Sequence, residues 1–234
     1  MSDQKIELLD LFNSFQGEFP YQGRYSTFVR FPKCNLKCKW CDTLNPNNKT
    51  MIFDYKDILD KVLKTNFITF TGGEPSLYIE EIIDILTYLV DKNIYFSNVT
   101  FETNGVELDK FKNIFNSLNM LGLDSYNFTR IVWSPKLYSN RLKDIALVNL
   151  YDYFNPFCTY IKIVSVPEDE PYIRQFIETT IQTYGNKIKR NIALMFFTDK
   201  NGQYDQDNII KTMKLSEEYG IGISTRIQLE LNIK

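Results

Sequence analysis

Short runs of β-branched and aromatic residues alternate along the chain with longer stretches whose apolar residues recur every three or four positions. The short runs are typical of buried strands, and the longer stretches are typical of amphipathic helices. About six such units follow one another. The pattern predicts strands at residues 27–31, 67–70, 99–102, 130–133, 160–164 and 192–197.

The stretch between the second and third predicted strands shows the helical spacing most clearly. Residues 78–92 carry apolar side chains at Ile79, Ile82, Ile83, Leu86, Leu89 and Val90. Strands that alternate with helices favour parallel βαβ units with right-handed crossovers. Six units are too few for a closed eightfold barrel, so we expect an α/β fold built as a partial, incomplete TIM-type barrel. An apolar segment at residues 6–12 precedes these units, and an apolar run at residues 221–231 is predicted to add a final strand.

Polar and glycine-rich segments follow the ends of four predicted strands. A cysteine-rich loop follows the first strand, and the sequences TGGEP, ETNG and SPK lie at residues 71–75, 102–105 and 134–136. In parallel α/β barrels the C-terminal ends of the strands form the active face. We therefore expect these four motifs to converge on one site.

Composition limits the class of protein. The chain has 234 residues, of which 44% are hydrophobic, and it shows no linker or low-complexity tract, so we expect a single domain over residues 1–234. A net charge of −2 predicts neither nucleic acid nor an anionic membrane as a partner. The sequence shows neither a signal peptide nor an apolar run long enough to span a membrane. We expect a cytoplasmic protein that acts on a small molecule.

Three cysteines lie within eight positions, at Cys34, Cys38 and Cys41, in a chain that contains no histidine. In a reducing compartment such a cluster favours metal binding or thiol reactivity over a disulfide. Zinc usually takes four protein ligands, or three that commonly include histidine. An iron–sulfur cluster held by three thiolates leaves one iron open to a ligand from outside the protein. A molecule with an amine and a carboxylate, such as the methionine end of S-adenosylmethionine, would suit that iron.

The cysteine spacing, with Trp40 before the last cysteine, resembles the signature of the radical S-adenosylmethionine (SAM) superfamily, and the GGEP segment adds to the match. Within it the chain resembles the 7-carboxy-7-deazaguanine synthases of the queuosine and deazapurine pathway. The shared segments cover most of the first 140 residues. They are SFQGE at residues 14–18, FVRF at residues 28–31, Asp42-Thr43, and the TGGEP, ETNG and SPK motifs.

The resemblance implies a role for each matching residue. The three cysteines would hold a [4Fe–4S] cluster, and Thr43 would ligate a magnesium ion that also touches the substrate. The residues that would line S-adenosylmethionine are Trp40, Asp42, Gly73, Ser134, Pro135 and Lys136. The residues that would contact the pterin substrate are Phe15, Gln16, Gly17, Arg30 and Thr71.

The reaction implied by the resemblance begins with reductive cleavage of S-adenosylmethionine to a 5′-deoxyadenosyl radical. Hydrogen abstraction from 6-carboxy-5,6,7,8-tetrahydropterin would then lead to ring contraction and loss of ammonia. The expected partners are the pterin and a reducing electron donor such as flavodoxin or ferredoxin. A homodimer is an assembly that the sequence leaves open.

Two residues are further expected to act in catalysis. Glu102 ends a predicted strand on the active face, where a contact with cofactor or substrate is expected. Arg30 lies four positions before Cys34, and its guanidinium suits the carboxylate of an acidic pterin. Cys158 stands alone in an apolar stretch and is expected to be a buried small hydrophobe without a function.

The C-terminal segment departs from the family pattern. The family carries a histidine near its C-terminus, and alignment of the shared Leu-Asn-Ile places Gln228 at that position. Glutamine donates and accepts hydrogen bonds but does not titrate near neutrality. We predict that Gln228 binds the substrate. Residues 195–199 also lack the Gln-Pro pair that the family would show.

Two other functions use the same three-cysteine loop. A glycyl-radical-enzyme activating protein also has this loop in a short chain, but it needs a broad groove for a protein partner. A non-enzymatic zinc-binding or interaction module is the alternative outside enzymes. Inorganic sulfide and iron after anaerobic purification would separate the radical enzymes from the zinc module.

Overall fold

The computed structural model describes residues 4–38, 41, 43, 49–94, 96–137, 158–199 and 203–231, so Trp40 and Asp42 lie outside the described residues. The chain forms two compact units. The N-terminal unit comprises Met1–Phe15, Arg24–Thr103 and Glu107–Ile131. The C-terminal unit comprises Gln16–Gly23, Asn104–Val106 and Val132–Lys234. The single-domain organisation remains a prediction.

The described residues of the N-terminal unit form six whole strands: β1 (Lys5–Leu8), β2 (Asp10–Phe15), β3 (Tyr25–Phe31), β4 (Met51–Asp54), β5 (Phe67–Gly72) and β6 (Asn98–Thr103). Its main sheet has the order β6-β5-β3-β2. Strands β3, β5 and β6 are parallel, whereas β2 is antiparallel to β3, and β1 pairs with β4 in a separate antiparallel ribbon. The alternation of strands and helices did not predict these antiparallel pairs. They arise where no crossover helix joins the neighbouring strands.

Four helices belong to this unit: α1 (Tyr55–Val62), α2 (Ile79–Asp91), α3 (Phe111–Met120) and α4 (Ser125–Phe128). Helix α2 confirms the predicted amphipathic helix and buries Ile79, Ile82, Ile85, Leu86 and Leu89. Ile83 and Val90 of the predicted apolar set are only half-buried, and Ile85 is buried in addition. Under α3 the sheet is aromatic, since the Phe101 ring lies 5.4 Å from Phe70 and 5.3 Å from Phe111. One face of the strands is thus covered by packed rings.

In the C-terminal unit, β8 (Thr159–Ser165), β9 (Ile192–Phe196) and β10 (Gly222–Ser224) form parallel pairs in the order β10-β9-β8. Strand β7 (Thr129–Trp133) crosses from one unit to the other along the chain. The helices are α5 (Glu170–Tyr184), α6 (Gln206–Tyr219) and α7 (Ile227–Glu230). None of the helices in the described ranges is long and apolar enough to cross a bilayer.

The predicted α/β organisation is confirmed, and the six predicted strands correspond to β3 and β5–β9. The final prediction, a strand over residues 221–231, is wrong beyond Ser224, because the chain continues into α7. There the backbone N–H of Ile227 donates to the carbonyl of Gly17 at 3.1 Å instead of extending the ladder with β9. Residues 229–231 are exposed, so their apolar side chains do not supply the burial that a strand would need.

Candidate active site

The cysteine loop begins directly after β3. Its described part is anchored by Leu36, which is buried, and the backbone N–H of Leu36 donates to Cys34 Sγ at 3.4 Å. The N–H of Cys41 donates to the carbonyl of Cys38 at 3.3 Å. All three thiols are free of disulfides. Cys34 and Cys38 are half-buried, and Cys41 is exposed.

The surroundings of Cys34 disfavour a bare thiolate. Burial raises the pKa of Cys34, and the nearby negative charges of Glu74, Cys38 and Cys41 add to that rise, against a smaller lowering by the N–H of Leu36. A cationic partner would therefore be needed to hold several thiolates here. Three thiolate donors suit an iron–sulfur cluster. Within the described ranges, no three His, Cys, Asp or Glu side chains are already gathered as a metal site.

Backbone hydrogen bonds from Gly73 and Glu74, directly after β5, connect this strand to the start of the cysteine loop. Gly73 N–H donates to the carbonyl of Phe31 at 2.7 Å, and Glu74 N–H donates to that of Lys33 at 2.8 Å. A Cβ on Gly73 would overlap the carbonyl oxygen of Lys33. In this structure the glycine is thus required by the backbone that leads into Cys34. The role of Gly73 in lining S-adenosylmethionine remains a prediction.

Glu74 joins the ends of two neighbouring strands. Its carboxylate is buried and accepts hydrogen bonds from Ser76 N–H at 3.0 Å and from Thr103 Oγ1 at 2.6 Å. Thr103 is the last residue of β6, so the GGEP and ETNG motifs meet through this contact. Glu74 is not among the residues predicted from the sequence to form the site.

Three predicted site residues form a row across the strand ends of the N-terminal unit. Arg30 of β3 is the register partner of Thr71 of β5. Glu102 of β6 follows Phe101, whose register partner Phe70 directly precedes Thr71. Because side chains alternate along each strand, this row lies on the face opposite the rings that α3 covers. All three residues are half-buried.

The Arg30 side chain packs on the sheet and can still bind an anion. Its guanidinium carbon lies 5.1 Å from the centroid of the Phe12 ring, in a cation–π contact. Its Nε is buried, and in the described part of the chain it has no hydrogen-bond partner. A buried guanidinium nitrogen without an acceptor is unfavourable, so this side chain suits a ligand carboxylate.

Two further predicted residues have less defined surroundings. Phe15 is 51% exposed, and its ring packs beside Tyr25 at 5.2 Å. Thr43 is half-buried. The magnesium role of Thr43 and the substrate role of Phe15 both remain predictions.

The predicted substrate-binding residues Gln16 and Gly17 belong to the C-terminal unit. Gln16 is buried, its Oε1 accepts from Glu18 N–H at 3.3 Å, and its carbonyl accepts from Gly23 N–H at 2.7 Å. A Cβ on Gly17 would overlap the side-chain oxygen of Gln228. The structure therefore brings Gln228 directly onto the segment with which it was predicted to act.

Glu18, Lys162, Arg226 and Gln228, which we call the Glu18 cluster, lie together in this unit. Lys162 of β8 makes an ion pair with Glu18 Oε2, and its side chain is only 3% exposed. On the other oxygen, Gln228 Nε2 donates to Glu18 Oε1 at 3.1 Å, and Arg226 Nε lies 3.7 Å away. Arg226 also donates to Thr198 Oγ1 at 2.9 Å.

The cluster keeps Glu18 ionised. Burial by itself would raise the pKa of this carboxyl, but the charges of Lys162 and Arg226 and the hydrogen bonds from Lys162 and Gln228 outweigh it and lower the pKa to about 2. Near neutral pH, Glu18 is therefore a fixed hydrogen-bond acceptor. Because an ionised carboxylate only accepts, it also determines that the Gln228 amide turns its NH₂ group toward Glu18.

Asn104 of the ETNG motif lies beside the residues of the SPK motif in the C-terminal unit. Trp133, directly before Ser134, donates its indole N–H to the carbonyl of Asn104 at 3.2 Å. Lys136 Nζ donates to Ser134 Oγ at 3.0 Å, and Pro135 is buried between them. Three of the six residues predicted to line S-adenosylmethionine are thus held next to Asn104 of the ETNG motif.

A family model described as the radical SAM superfamily matches residues 28–145. The chain belongs to the radical SAM superfamily. The match covers the cysteine loop, the TGGEP segment and the strand-end row, which confirms the resemblance inferred from these motifs. The chain is therefore an enzyme of a superfamily that uses a [4Fe–4S] cluster and S-adenosylmethionine, as the sequence predicted.

The similar curated proteins are 7-carboxy-7-deazaguanine synthases. The one from Haemophilus influenzae is 37% identical over 110 residues, which is 45% of this radical SAM chain and 48% of that protein, so the match spans about half of its length. The one from Methanocaldococcus jannaschii is 26% identical over 246 residues, which is 91% of this chain and 98% of that protein. The predicted family resemblance is confirmed by both.

The crystal structure of QueE from Escherichia coli has a similar fold. It superposes with a TM-score of 0.63 at 19% sequence identity, over 94% of this chain and 93% of that structure. The likeness confirms the predicted radical SAM fold. It carries no information about the substrate of this chain.

Sequence reasoning missed three members of the Glu18 cluster in this radical SAM enzyme. Lys162 had a visible signal, because it is a charged residue in the middle of the apolar strand YIKIV. Glu18 directly follows the three residues predicted to bind the substrate, but the family comparison of motifs gave it no role. Arg226 had no signal, since only the fold places it on residues about two hundred positions earlier.

Proposed function

We propose that this radical SAM enzyme is a 7-carboxy-7-deazaguanine synthase. It converts 6-carboxy-5,6,7,8-tetrahydropterin to 7-carboxy-7-deazaguanine with loss of ammonia, in the biosynthesis of queuosine and related 7-deazapurines. The curated relatives that carry this name support the assignment.

One structural observation carries the proposal. Arg30, Thr71 and Glu102 form a row on one face of the sheet, at the strand ends that lead into the cysteine loop and the TGGEP and ETNG motifs. A half-buried arginine with an unpaired Nε suits a small carboxylic acid better than a protein surface. This favours a small acidic substrate over the glycyl-radical partner considered above.

The residues of the cysteine loop fit the cofactors. Cys34, Cys38 and Cys41 would hold the [4Fe–4S] cluster, Gly73 and residues 134–136 would line S-adenosylmethionine, and Thr43 would ligate Mg²⁺ through its hydroxyl, a hard oxygen donor. When bound and reduced by a flavodoxin or ferredoxin, the cluster and S-adenosylmethionine supply the radical chemistry that starts the reaction.

The protein's own residues bind and orient the pterin. Arg30 pairs with the carboxylate, and Thr71 beside it donates a hydrogen bond to the same end of the molecule. Glu102 accepts hydrogen bonds from cofactor or substrate. Glu18, held ionised, accepts from the N–H groups of the aminopyrimidinone ring, next to Gln16 and Gly17. Such orientation brings the reacting carbon to the cofactor and excludes side reactions.

Two measurements test the proposal. After anaerobic purification we expect iron and inorganic sulfide in the protein, and zinc without sulfide would leave the zinc-binding module as the function. Incubation with S-adenosylmethionine, reductant, Mg²⁺ and 6-carboxy-5,6,7,8-tetrahydropterin should yield 7-carboxy-7-deazaguanine by mass spectrometry. Cleavage of S-adenosylmethionine without this product would indicate a radical enzyme with another substrate.

The magnesium role has its own test. Thr43→Ala should lower product formation by about tenfold or more and should raise the Mg²⁺ concentration needed for half-maximal rate. Thr50→Ala, at the far side of the loop, is the matched control and should keep the parent's magnesium dependence. If Thr43→Ala showed the parent's rate and magnesium dependence, the residue would not be a ligand.

A further inference from the structure

Lys162 is a buried cation that no motif explains. It stands in the middle of β8, where its neighbours Ile161 and Ile163 are fully buried. A lysine in such a place is costly unless its charge is balanced. Its partner is Glu18, which directly follows the predicted substrate-binding residues Gln16 and Gly17.

The contacts of Glu18 divide between its two oxygens. Lys162 occupies Oε2, while Gln228 and Arg226 face Oε1 from the C-terminal segment. The carboxylate is therefore fixed in both rotation and position by groups from β8 and from the segment around α7. Among the described residues, Lys162 and Arg226 are the charged groups that face it, and Gln228 is a neutral contact.

The same C-terminal segment is fastened to residues 16–23 at further points. Ile227 N–H donates to the carbonyl of Gly17 at 3.1 Å, and Phe19 N–H donates to Ser224 Oγ at 2.9 Å. Gln22 also bonds to Thr225 through its side chain. Moving Glu18 would therefore disturb the backbone of the predicted substrate-binding segment and the Gln228 amide together.

We propose that Lys162 is a positioning residue for substrate binding, which acts by holding the Glu18 carboxylate ionised and oriented toward the N–H donors of an aminopyrimidinone ring. The inference rests on the proposed function and deepens it. It assigns the recognition of the pterin ring to a buried ion pair whose lysine never touches the substrate. Arg226 and Gln228 complete the orientation from the second oxygen.

The inference is tested by steady-state kinetics of the anaerobic enzyme over pH 5.5–8. Lys162→Met should raise KM for the pterin by about tenfold or more with a much smaller change in kcat. Its KM should rise further as the pH falls. Without Lys162, burial raises the pKa of Glu18, so the carboxylate becomes protonated at the lower pH values. Glu18→Gln should raise KM to a similar extent without this pH dependence. The double variant should be no worse than Glu18→Gln.

Two variants keep the test independent of folding. Lys162→Arg retains the charge and should keep the flat pH profile of the parent. Lys211→Met removes an exposed lysine of α6 and should behave as the parent. A Lys162→Met enzyme with the parent's KM at every pH, or single-variant effects that multiply in the double variant, would overturn the inference.

Failure of the proposed function would look different. If the parent itself did not turn over the pterin, the assigned reaction would fall, and the substrate role of Lys162 would fall with it. Urea unfolding of Lys162→Met, Glu18→Gln and the double variant measures the coupling between the two residues in stability. A strong coupling between Lys162 and Glu18 in stability, with no effect on KM in an active enzyme, would show that the pair is structural only.

Discussion

The cysteine loop and the Glu18 cluster shift the pKa of an acidic group in opposite directions. At Cys34, burial and neighbouring negative groups raise the pKa of the thiol. A cation from outside the protein is therefore needed to stabilise the thiolate. At Glu18, burial is outweighed by two cations from the protein itself, and the pKa falls to about 2. The first region is built to receive a metal cluster, whereas the second is complete without a ligand and presents a fixed charge.

The difference also concerns how each region is encoded. The three cysteines of the cysteine loop lie within eight positions, and Gly73 beside the loop lets two backbone segments touch. The Glu18 cluster joins residues from the two ends of the chain and from β8. Replacing residues in the first region should therefore abolish chemistry, while replacing residues in the second should weaken binding.

The largest expected effect is at the cysteines. Replacing any one of Cys34, Cys38 or Cys41 by Ala should abolish both the iron–sulfur absorbance and the cleavage of S-adenosylmethionine, because a cubane cluster needs all three thiolates. Ultraviolet–visible spectra and product analysis measure this. Cys158→Ala is the control, since that buried thiol lies directly before β8 and belongs to the C-terminal unit. Cluster loss in Cys158→Ala would show that the ligand assignment is wrong.

The two crowded glycines sharpen the comparison. Gly73→Ala places a methyl group on the Lys33 backbone, which has little freedom to move, so we expect a loss of about 3 kcal/mol in the free energy of unfolding. Gly17→Ala overlaps mainly the side-chain end of Gln228, with the Gln228 backbone nitrogen 3.1 Å from the new Cβ, so a smaller loss of about 1 kcal/mol is expected. Urea unfolding measures both. Equal losses would contradict the distinction between backbone and side-chain obstacles.

The stability of the Glu18 cluster should depend on pH. The pKa of Glu18 is lowered from 4.5 to about 2, so its stabilisation is fully present above pH 4.5 and is lost as the pH falls toward 2. A shift of this size corresponds to about 3 kcal/mol of folding free energy. The difference in unfolding free energy between the parent and Glu18→Gln should therefore shrink from pH 6 to pH 3. A constant difference would show that the carboxylate is not specially stabilised.

Part of the fold and of the site could be predicted from the sequence. The strands and helix α2 could be predicted because apolar periodicity reports burial directly, and the cysteine loop could be predicted because its ligands are neighbours in sequence. The row of Arg30, Thr71 and Glu102 followed from the rule that functional residues end parallel strands. The antiparallel strand β2 and the helix α7 could not be predicted, because they depend on partners far away in the chain.

The Glu18 cluster shows the same limit for a site. Lys162 is conspicuous only by its apolar neighbours, and its partner is 144 positions away. The sequence placed Gln228 at the histidine position of the family but could not show that its amide contacts Glu18. Pairings of this kind arise from tertiary packing, which no local pattern contains.

The smallest expected effect is at Gln228. Its amide contributes neutral hydrogen bonds, worth about 1 kcal/mol each, so Gln228→Ala should raise KM for the pterin several-fold and leave kcat nearly unchanged. Gln228→His should remain active and acquire a pH dependence near the imidazole pKa of about 6.5. Parent-like kinetics in both variants would place Gln228 outside substrate binding.

The central claim is that the cysteine loop and the strand-end row together carry out the ring contraction of an acidic pterin. The most direct test quantifies ammonia and 7-carboxy-7-deazaguanine in one anaerobic incubation of the parent enzyme with S-adenosylmethionine, reductant, Mg²⁺ and 6-carboxy-5,6,7,8-tetrahydropterin. We expect the two products in equal amounts, and only when S-adenosylmethionine is present. Intact pterin, with S-adenosylmethionine consumed and no ammonia released, would contradict it.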